Sequence, residues 1–220
     1  MTESYRSEER TSSSRSYIYL AESAGNLIAY LYFLYRPSDQ TNNLLQTHLL
    51  AMAGIIYILR VLFVTFYLLR RNIAIMEMII VMLVLVPSLL TSFALLRTEE
   101  TTPLQLIVGS VVYVIGSFLN TYSELQRKSW KMQPGHKGLC YTQGLFSASR
   151  NINYFGDVVL FSGWALMTGT WWNVWVPSFM FWSFWYLHIP EKEEYLANRY
   201  AEEWPAYKQQ TPWALVPFVC

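Results

Sequence analysis

The feature that most constrains this chain is a succession of apolar stretches, each near the length that crosses a lipid bilayer. A membrane-spanning helix needs about 20 mostly apolar residues. The stretches cover residues 17–35, 49–69, 73–96, 104–122 and 158–187. The last is long enough for two short helices, 158–169 and 171–187, with a break near Gly169. The pattern predicts an all-α fold, a polytopic membrane helical bundle of five to six transmembrane helices.

Composition supports the same fold class. Hydrophobic residues make up 53% of the chain and charged residues only 14%, whereas soluble domains carry about a quarter charged residues. Aromatic residues reach 17%, as belts of Trp and Tyr at membrane interfaces require. We therefore expect one integral membrane domain over residues 17–220. The polar, Ser-rich residues 1–16 predict a disordered cytosolic tail.

Basic residues in the loops predict the orientation, because positively charged loops face the cytosol. Arg70 and Arg71 separate the second and third apolar stretches. The segment 123–150 carries Arg127, Lys128, Lys131, Lys137 and Arg150 against Glu124 alone. Both termini, the segment 123–157 and the C-terminal tail 188–220 are therefore expected on the cytosolic side, together with any chemistry that the protein performs.

Several classes of site are disfavoured by the residues present. The net charge is only +1, so no global positive field recruits nucleic acid. Cys140 and Cys220 lie far apart, and the 3 His are scattered. That arrangement does not match a metal-ligand motif or a disulfide framework. We expect no metal.

Two ionisable residues fall inside predicted helices. Arg60 lies in the second helix and Glu77 in the third. Charged groups at membrane depth face a partner or a cavity. A structural Arg60–Glu77 pair and a role in substrate or cofactor binding are both open on the sequence.

Two pairs of polar residues, each four positions apart, mark the cytosolic side. Arg127 and Lys131 would point the same way on a helix and offer two cations to phosphates. Asn153 and Asp157 would place an amide and a carboxylate on one helix face. Together these groups suit a nucleotide cofactor. Ordinary positive-inside residues, a helix cap and a dipole-complementing carboxylate explain the same spacings equally well.

The C-terminal half resembles a known family at three motifs. "RNINYFGD" follows the RHxNYxGD pattern of sterol reductases at Arg150, Asn153, Tyr154, Gly156 and Asp157, with Asn151 in place of the His. "QRKSWK" is similar to QKxxFR with Lys and Arg exchanged and Trp for Phe. "RYAEEWPAY" is similar to KYGxxWxxY without the Gly, and ends at Tyr207. Residues 120–218 thus resemble steroid 5-alpha-reductases, sterol C14 and C7 reductases and related uncharacterised membrane proteins.

The resemblance implies an NADPH-dependent reduction of a carbon–carbon double bond in a sterol or other lipid that enters from the bilayer. It implies that Arg127 and Lys131 hold the phosphates, and Asn153 and Asp157 the nicotinamide end. The further residues that it assigns to the cofactor are Arg150, Tyr154, Glu193 and Tyr207. Tyr154 is the implied acid, with Glu77 second. The endoplasmic reticulum is the implied location.

Two alternatives remain on the sequence. The same superfamily contains isoprenylcysteine carboxyl methyltransferase and phospholipid methyltransferases, which use S-adenosylmethionine. Their RHPxYxG motif and acidic pair are similar to Arg150, Tyr154 and Gly156 here, with Glu193-Glu194 downstream. The chain lacks that motif's His and Pro. Because Asn151 cannot titrate near neutral pH, a non-catalytic membrane protein that retains the fold is the second alternative. The tail from Glu191 is expected to fold over the cytosolic mouth.

Overall fold

A computed structural model describes residues 13–35, 43–69, 86–98 and 100–219, and within these ranges the chain is helical, with no strand. The all-α class is therefore confirmed for the described residues. The α-helices are α1 (Ser13–Tyr35), α2 (Leu44–Phe63), α3 (Val86–Leu95), α4 (Pro103–Lys131), α5 (Ile152–Met167), α6 (Trp175–Ser183), α7 (Ile189–Arg199) and α8 (Trp204–Gln210). Short π-helical turns follow α2 (Val64–Leu69) and join α6 to α7 (Phe184–His188), and 3₁₀ turns cover Gly144–Ser147 and Trp171–Val174.

Helix starts follow local sequence signals. The Asn43 side chain accepts a hydrogen bond of 3.1 Å from the backbone N–H of Gln46, which satisfies one of the free donors at the start of α2. Pro190 and Pro205 lie in the first turns of α7 and α8. Proline fits there because the first-turn N–H has no partner within the helix.

Two of the described helical segments are long and apolar enough to cross a membrane. They are Leu44–Leu68, which includes the π-helical turn, and Pro103–Lys131. The chain is therefore an α-helical protein with two candidate membrane spans among its described residues. The prediction of five to six spans stays a prediction. Glu77 and the Arg70-Arg71 pair lie outside the described residues.

The chain divides into two compact units. The first combines the described residues up to Ser110 with Trp164–Val174, and the second combines Val111–Gly163 with the described residues from Trp175 onward. The helices α4 and α5 each contribute to both units.

The core of the first unit is built around Trp164, whose side chain is fully buried. Its ring stacks on Phe93 with a centroid distance of 4.8 Å, and the rings of Tyr30 and Tyr57 meet it edge-on at 6.0 and 5.6 Å. These are the offset and edge-to-face geometries that aromatic quadrupoles favour. Burial of large rings stabilises this unit.

The second unit depends on close contact between the backbones of α4 and α5. A Cβ atom added at Gly116 would lie 2.2 Å from the backbone nitrogen of Leu160, and one added at Gly156 would lie 2.5 Å from that of Asn120. Only glycine allows two helices to approach so closely. Gly156, part of the reductase-like motif, therefore has a packing role, and the contact aligns Asn120 and Asn153 across the two helices.

Candidate functional site

A pocket that is partly open to solvent lies within the second unit. The end of α4, the loop before α5, α7 and α8 enclose it. Four cationic residues line it: Arg127, Lys131, Arg150 and Lys192. The remaining lining residues are Cys140, Tyr141, Phe146, Leu196, Tyr200 and Tyr207. The pocket combines aromatic walls with a concentration of positive charge.

Arg127 and Asn153, both predicted to bind a cofactor, are connected through Glu124. The guanidinium of Arg127 donates to one oxygen of the Glu124 carboxylate, and the Asn153 amide donates to the other at 3.0 Å. The Asn120 amide donates to the backbone carbonyl of Asn153 at 3.0 Å. Glu124 is buried, and the sequence-based interpretation did not assign it a role. It fixes the direction in which Arg127 faces the pocket.

Arg150 and Glu193 form a buried ion pair at the other side of the pocket. The Arg150 Nε donates to Glu193 at 2.7 Å, and its Nη1 donates to the carbonyl of Thr211 at 2.6 Å. Lys208 lies 3.3 Å from the second Glu193 oxygen. The pair therefore links the start of α5 to α7 and to the chain beyond α8. Glu193 holds Arg150 in place at the pocket wall.

The residues that precede α5 bind the C-terminal segment, defined here as residues 211–216. Asn151 is 1% exposed, and its amide donates to the carbonyl of Ala214 at 2.7 Å. The position that holds a His in the sterol reductase motif thus carries a structural hydrogen bond in this chain. Two further bonds to the segment are those of the Ser149 hydroxyl to the Leu215 carbonyl at 2.8 Å and of the Arg150 backbone N–H to the Trp213 carbonyl at 3.0 Å.

Two tyrosines complete the polar wall. The Lys131 amine donates to the Tyr200 hydroxyl at 3.1 Å, and the Tyr207 hydroxyl donates to the carbonyl of Phe146 at 2.8 Å. Burial raises the pKa of the Tyr207 phenol. Tyr207 therefore stays protonated and keeps its donor role, which holds α8 against the 3₁₀ turn that contains Phe146.

Two predicted site residues, Tyr154 and Asp157, lie outside the pocket lining. Tyr154 is outside the pocket lining; its ring stacks on Phe184 at 4.5 Å, and the Lys192 amine lies 4.7 Å from its centroid. Asp157 lies one turn farther along α5, partly buried, and does not line the pocket. Glu77 lies outside the described residues. The structure thus brings Arg127, Lys131, Arg150 and Tyr207 to one pocket, with Asn153 and Glu193 directly behind it.

Lys192 is the cationic pocket residue that the sequence-based interpretation did not predict. It occurs in "PEKEEY", where acidic neighbours are typical of an exposed helix face. In the structure it is only 7% exposed, and its amine has no hydrogen-bond partner among the described residues. Burial, followed by the positive charge of Arg127, lowers the pKa of this amine to about 7. No local pattern in the sequence signals this, because it depends on the packing of α7 against α4 and α5.

Cys140 also lines the pocket. Burial raises the pKa of its thiol to about 11, and Glu203 adds to the shift. Because the thiolate is the reactive form, Cys140 is a weak nucleophile at neutral pH. Among the described residues, no group of three or more His, Cys, Asp or Glu side chains is arranged to hold a metal ion.

Comparison with known proteins places these residues in a wider group. The sequence profile of the family described as "Protein of unknown function (DUF1295)" matches residues 64–211. The chain is 33% identical over 95 residues to a protein of Ustilaginoidea virens named Probable O-methyltransferase ustE. It is 31% identical over 97 residues to the Delta(14)-sterol reductase of Saccharomyces cerevisiae, and 28% identical over 82 residues to that of Methylotuvimicrobium alcaliphilum.

These matches are partial on both sides. They cover 43%, 42% and 36% of this chain, and 34%, 21% and 19% of the respective relatives. The matched part thus amounts to about a third of the methyltransferase relative and about a fifth of each sterol reductase.

Proposed function

The chain belongs to the family described as Protein of unknown function (DUF1295), and from this premise we propose that it is a membrane-embedded, NADPH-dependent reductase of a carbon–carbon double bond in a sterol or another lipid. Its similarity to two Delta(14)-sterol reductases supports the reaction class. The observation that carries the proposal is the basic pocket of the second unit, since phosphate groups are the ligand chemistry that clustered Arg and Lys side chains favour.

The residues present fit the phosphates of a dinucleotide. Arg127, Lys131, Arg150 and Lys192 line one pocket. Two carboxylates, Glu124 and Glu193, form ion pairs with the two arginines. Positive charge beyond these pairs comes from Lys131, and from Lys192 when its amine is protonated. Tyr200 and Tyr207 add hydroxyl groups and aromatic surface. When bound, NADPH would supply a hydride to one carbon of the double bond.

The chain's own residues would orient the cofactor and deliver the proton. In our proposal, Arg127 and Lys131 bind phosphate, while Glu124 keeps Arg127 aimed into the pocket. Asn153 and Asp157, which lie on α5 outside the pocket lining, would offer oxygen acceptors to the carboxamide at the nicotinamide end. Tyr154 remains our candidate to donate a proton to the second carbon. The Lys192 amine lies 4.7 Å from its ring centroid, and when protonated it would stabilise the phenolate by Coulomb attraction.

An S-adenosylmethionine-dependent methyltransferase is the second candidate, and one observation favours it: the similarity to the protein named Probable O-methyltransferase ustE. The charge of the pocket argues against it. The sulfonium of S-adenosylmethionine is a cation without phosphates, and the positive charge that remains in the pocket after the two arginines are paired would disfavour it. A non-catalytic protein is the third candidate, because Asn151 replaces the motif's His.

The test is ligand-induced thermal stabilisation of the purified protein in detergent, with NADPH and S-adenosylmethionine in parallel. A ligand at 100 times its dissociation constant stabilises a protein by about 2.7 kcal/mol. We expect a shift with NADPH alone, diminished in Lys131→Ala and retained in Lys137→Ala, which removes an exposed lysine outside the pocket. A shift with S-adenosylmethionine alone would contradict the reductase and favour methyl transfer. If neither ligand shifts the melting temperature, the result would favour the non-catalytic protein.

A bound cofactor then permits a search for the substrate. NADPH oxidation would be followed at 340 nm on the order of minutes with sterol dienes and enone lipids in mixed micelles. We expect turnover by the wild-type protein and a large loss in Tyr154→Phe with little change in NADPH binding. Turnover that is equal in both proteins would remove Tyr154 as the proton donor.

A further inference from the structure

Among the cationic residues that line the pocket in the described part of the chain, Lys192 is the one whose amine is buried without a hydrogen-bond partner. The residue is only 7% exposed. Its amine lies 4.7 Å from the ring of Tyr154 and 5.9 Å from that of Phe146. No hydrogen-bond acceptor contacts the amine within the described residues. An ammonium that lies over aromatic rings and has no hydrogen-bond acceptor keeps a large part of its desolvation cost.

The two carboxylates near the Lys192 amine, Glu124 and Glu193, form ion pairs with other residues. Glu124 pairs with Arg127 and accepts from Asn153. Glu193 pairs with Arg150 and Lys208. Lys131, the other pocket lysine, donates to the hydroxyl of Tyr200. A ligand that brings negative charge into the pocket would supply the counter-charge for Lys192.

We infer that Lys192 is an anion-binding residue of the pocket, which takes up a proton when the phosphate groups of a ligand enter. For NADPH as the ligand, the inference rests on the function proposed above and adds a specific phosphate-binding residue and a pH dependence to it. The shared ligand chemistry is a phosphate or diphosphate group. A nucleotide and a lipid headgroup are the two sources that the experiment separates.

The groups around the amine determine its protonation. Those that face it are Arg127 and Glu124 on α4, Cys140 in the loop, Tyr154 on α5 and Glu193 on α7, with Lys131, Arg150, Tyr200 and Tyr207 farther round the pocket. Burial and Arg127 disfavour the charged amine, whereas Glu124 and Glu193 favour it. An added phosphate would act in the same direction as these carboxylates.

The sign of the pH effect follows. The pKa of Lys192 lies at about 7 without ligand, and a bound phosphate raises it. At a pH between the pKa of Lys192 in the free protein and its higher pKa in the complex, ligand binding is accompanied by uptake of a proton. The affinity therefore falls as pH rises. His188, near Tyr154, has a pKa lowered by desolvation, and that of Cys140 is about 11, so neither titrates between pH 7 and 9. The second ionisation of a phosphate monoester, near pH 6, also lies below this window.

The experiment is calorimetric titration of the full-length protein in detergent with NADP⁺ at pH 7.0, 8.0 and 9.0, in buffers of different ionisation enthalpy. We expect the wild-type protein to take up close to one proton at pH 8.0 and to bind roughly 10- to 50-fold more weakly at pH 9.0 than at pH 7.0. Lys192→Met should bind weakly and without proton uptake. Lys192→Arg should restore affinity but lose the pH dependence, because arginine does not titrate there.

Matched controls and further ligands make the result decisive. Lys137→Met removes an exposed lysine outside the pocket and should behave as wild type. Dihexanoyl phosphatidic acid and inorganic pyrophosphate are titrated in parallel at pH 7.5. If either binds in a Lys192-dependent manner while NADP⁺ does not bind, the inference on Lys192 holds and the NADPH-linked function fails.

Two outcomes would overturn the inference. If NADP⁺ binds and Lys192→Met shows wild-type affinity and proton uptake, the reductase proposal survives and Lys192 has no role in anion binding. If none of the three phosphate ligands binds to the wild-type protein, the pocket is not an anion site. A melting curve of each variant without ligand shows that loss of binding does not come from loss of folding.

Discussion

A buried ammonium destabilises a folded protein unless an anion or a set of acceptors compensates it. At the scale of single residues, the polar groups around the pocket are therefore of two kinds: those that bind partners within the described part of the protein, and one buried amine that does not. Arg127, Arg150 and Asn151 each have partners within the protein and hold elements together. Lys192 has aromatic neighbours instead, and its presence reduces stability in the absence of a ligand.

Replacing Lys192 by Met should therefore stabilise the ligand-free protein. Met has a similar length and flexibility and no charge to desolvate, so we expect a gain on the order of 1–3 kcal/mol at pH 6.5. Thermal or denaturant unfolding in detergent measures it, with Lys137→Met as the exposed control. A Lys192→Met protein less stable than wild type would show that the amine makes a stabilising interaction in the ligand-free fold.

Replacing Asn151 by Ala should destabilise the protein. The change removes the amide that donates to the Ala214 carbonyl at 2.7 Å and leaves a partly buried acceptor unsatisfied, at a cost of about 1–3 kcal/mol. Ser147→Ala is the control, because its hydroxyl donates to the Gly144 carbonyl at an exposed site. Equal melting temperatures for wild type and Asn151→Ala would contradict the structural role assigned to Asn151.

At the scale of elements, the contact between α4 and α5 decides the geometry of the pocket. Gly116 and Gly156 let the two backbones touch. That contact places Asn153 within reach of both Asn120 and Glu124. Glu124 in turn orients Arg127. The close packing at the glycines therefore aligns the polar residues of the second unit.

The substitution Gly116→Ala tests this close contact between the helices. The added Cβ would meet the backbone nitrogen of Leu160 at 2.2 Å and the carbonyl oxygen of Gly156 at 2.6 Å, so the helices must separate. We expect a loss of about 1–3 kcal/mol or more. Gly25→Ala on α1 is the control, since nothing lies within 4 Å of its added Cβ. Helix propensity alone would make that change favourable by up to about 1 kcal/mol. Unchanged stability of Gly116→Ala would contradict the close contact.

At the scale of the whole molecule, the stability of the ligand-free protein should depend on pH. Lys192 has a pKa of about 7 in the folded protein, against an ordinary value of 10.5. Between these values the unfolded chain binds the extra proton, so the free energy of unfolding rises with pH. From pH 7.0 to 8.5 we expect a gain of about 1–2 kcal/mol from this group. Above pH 9 the raised pKa of Cys140 acts in the opposite direction.

Denaturant unfolding at pH 7.0, 7.5, 8.0 and 8.5 measures the effect. The Lys192→Met protein should lack this contribution, and the difference between the two profiles isolates it from every other titrating group. Parallel profiles for the two proteins would mean that the amine of Lys192 keeps its ordinary protonation in the fold.

Particular residues show how far the sequence alone could predict the site. The spacing of Arg127 and Lys131 on one helix face indicated a shared pocket, and the structure brings both to its wall. Arg150 and Tyr207, named from a resemblance, line the same pocket. Asp157 and Tyr154 carried equal weight in the motif but lie outside the lining. A motif records which residues occur together, and whether each faces the same cavity depends on helix rotation and on neighbouring elements.

The sequence by itself determined the helical class, the two candidate membrane spans among the described residues and the cationic side chains near the end of α4. These follow from composition and from the period of the helix, which are local properties of the chain. Only the tertiary structure decided that Glu124 joins Arg127 to Asn153, that Asn151 holds the C-terminal segment, and that Lys192 is buried without a hydrogen-bonding partner among the described residues. Each of these depends on contacts between residues distant in sequence, because burial and pairing are properties of packed helices.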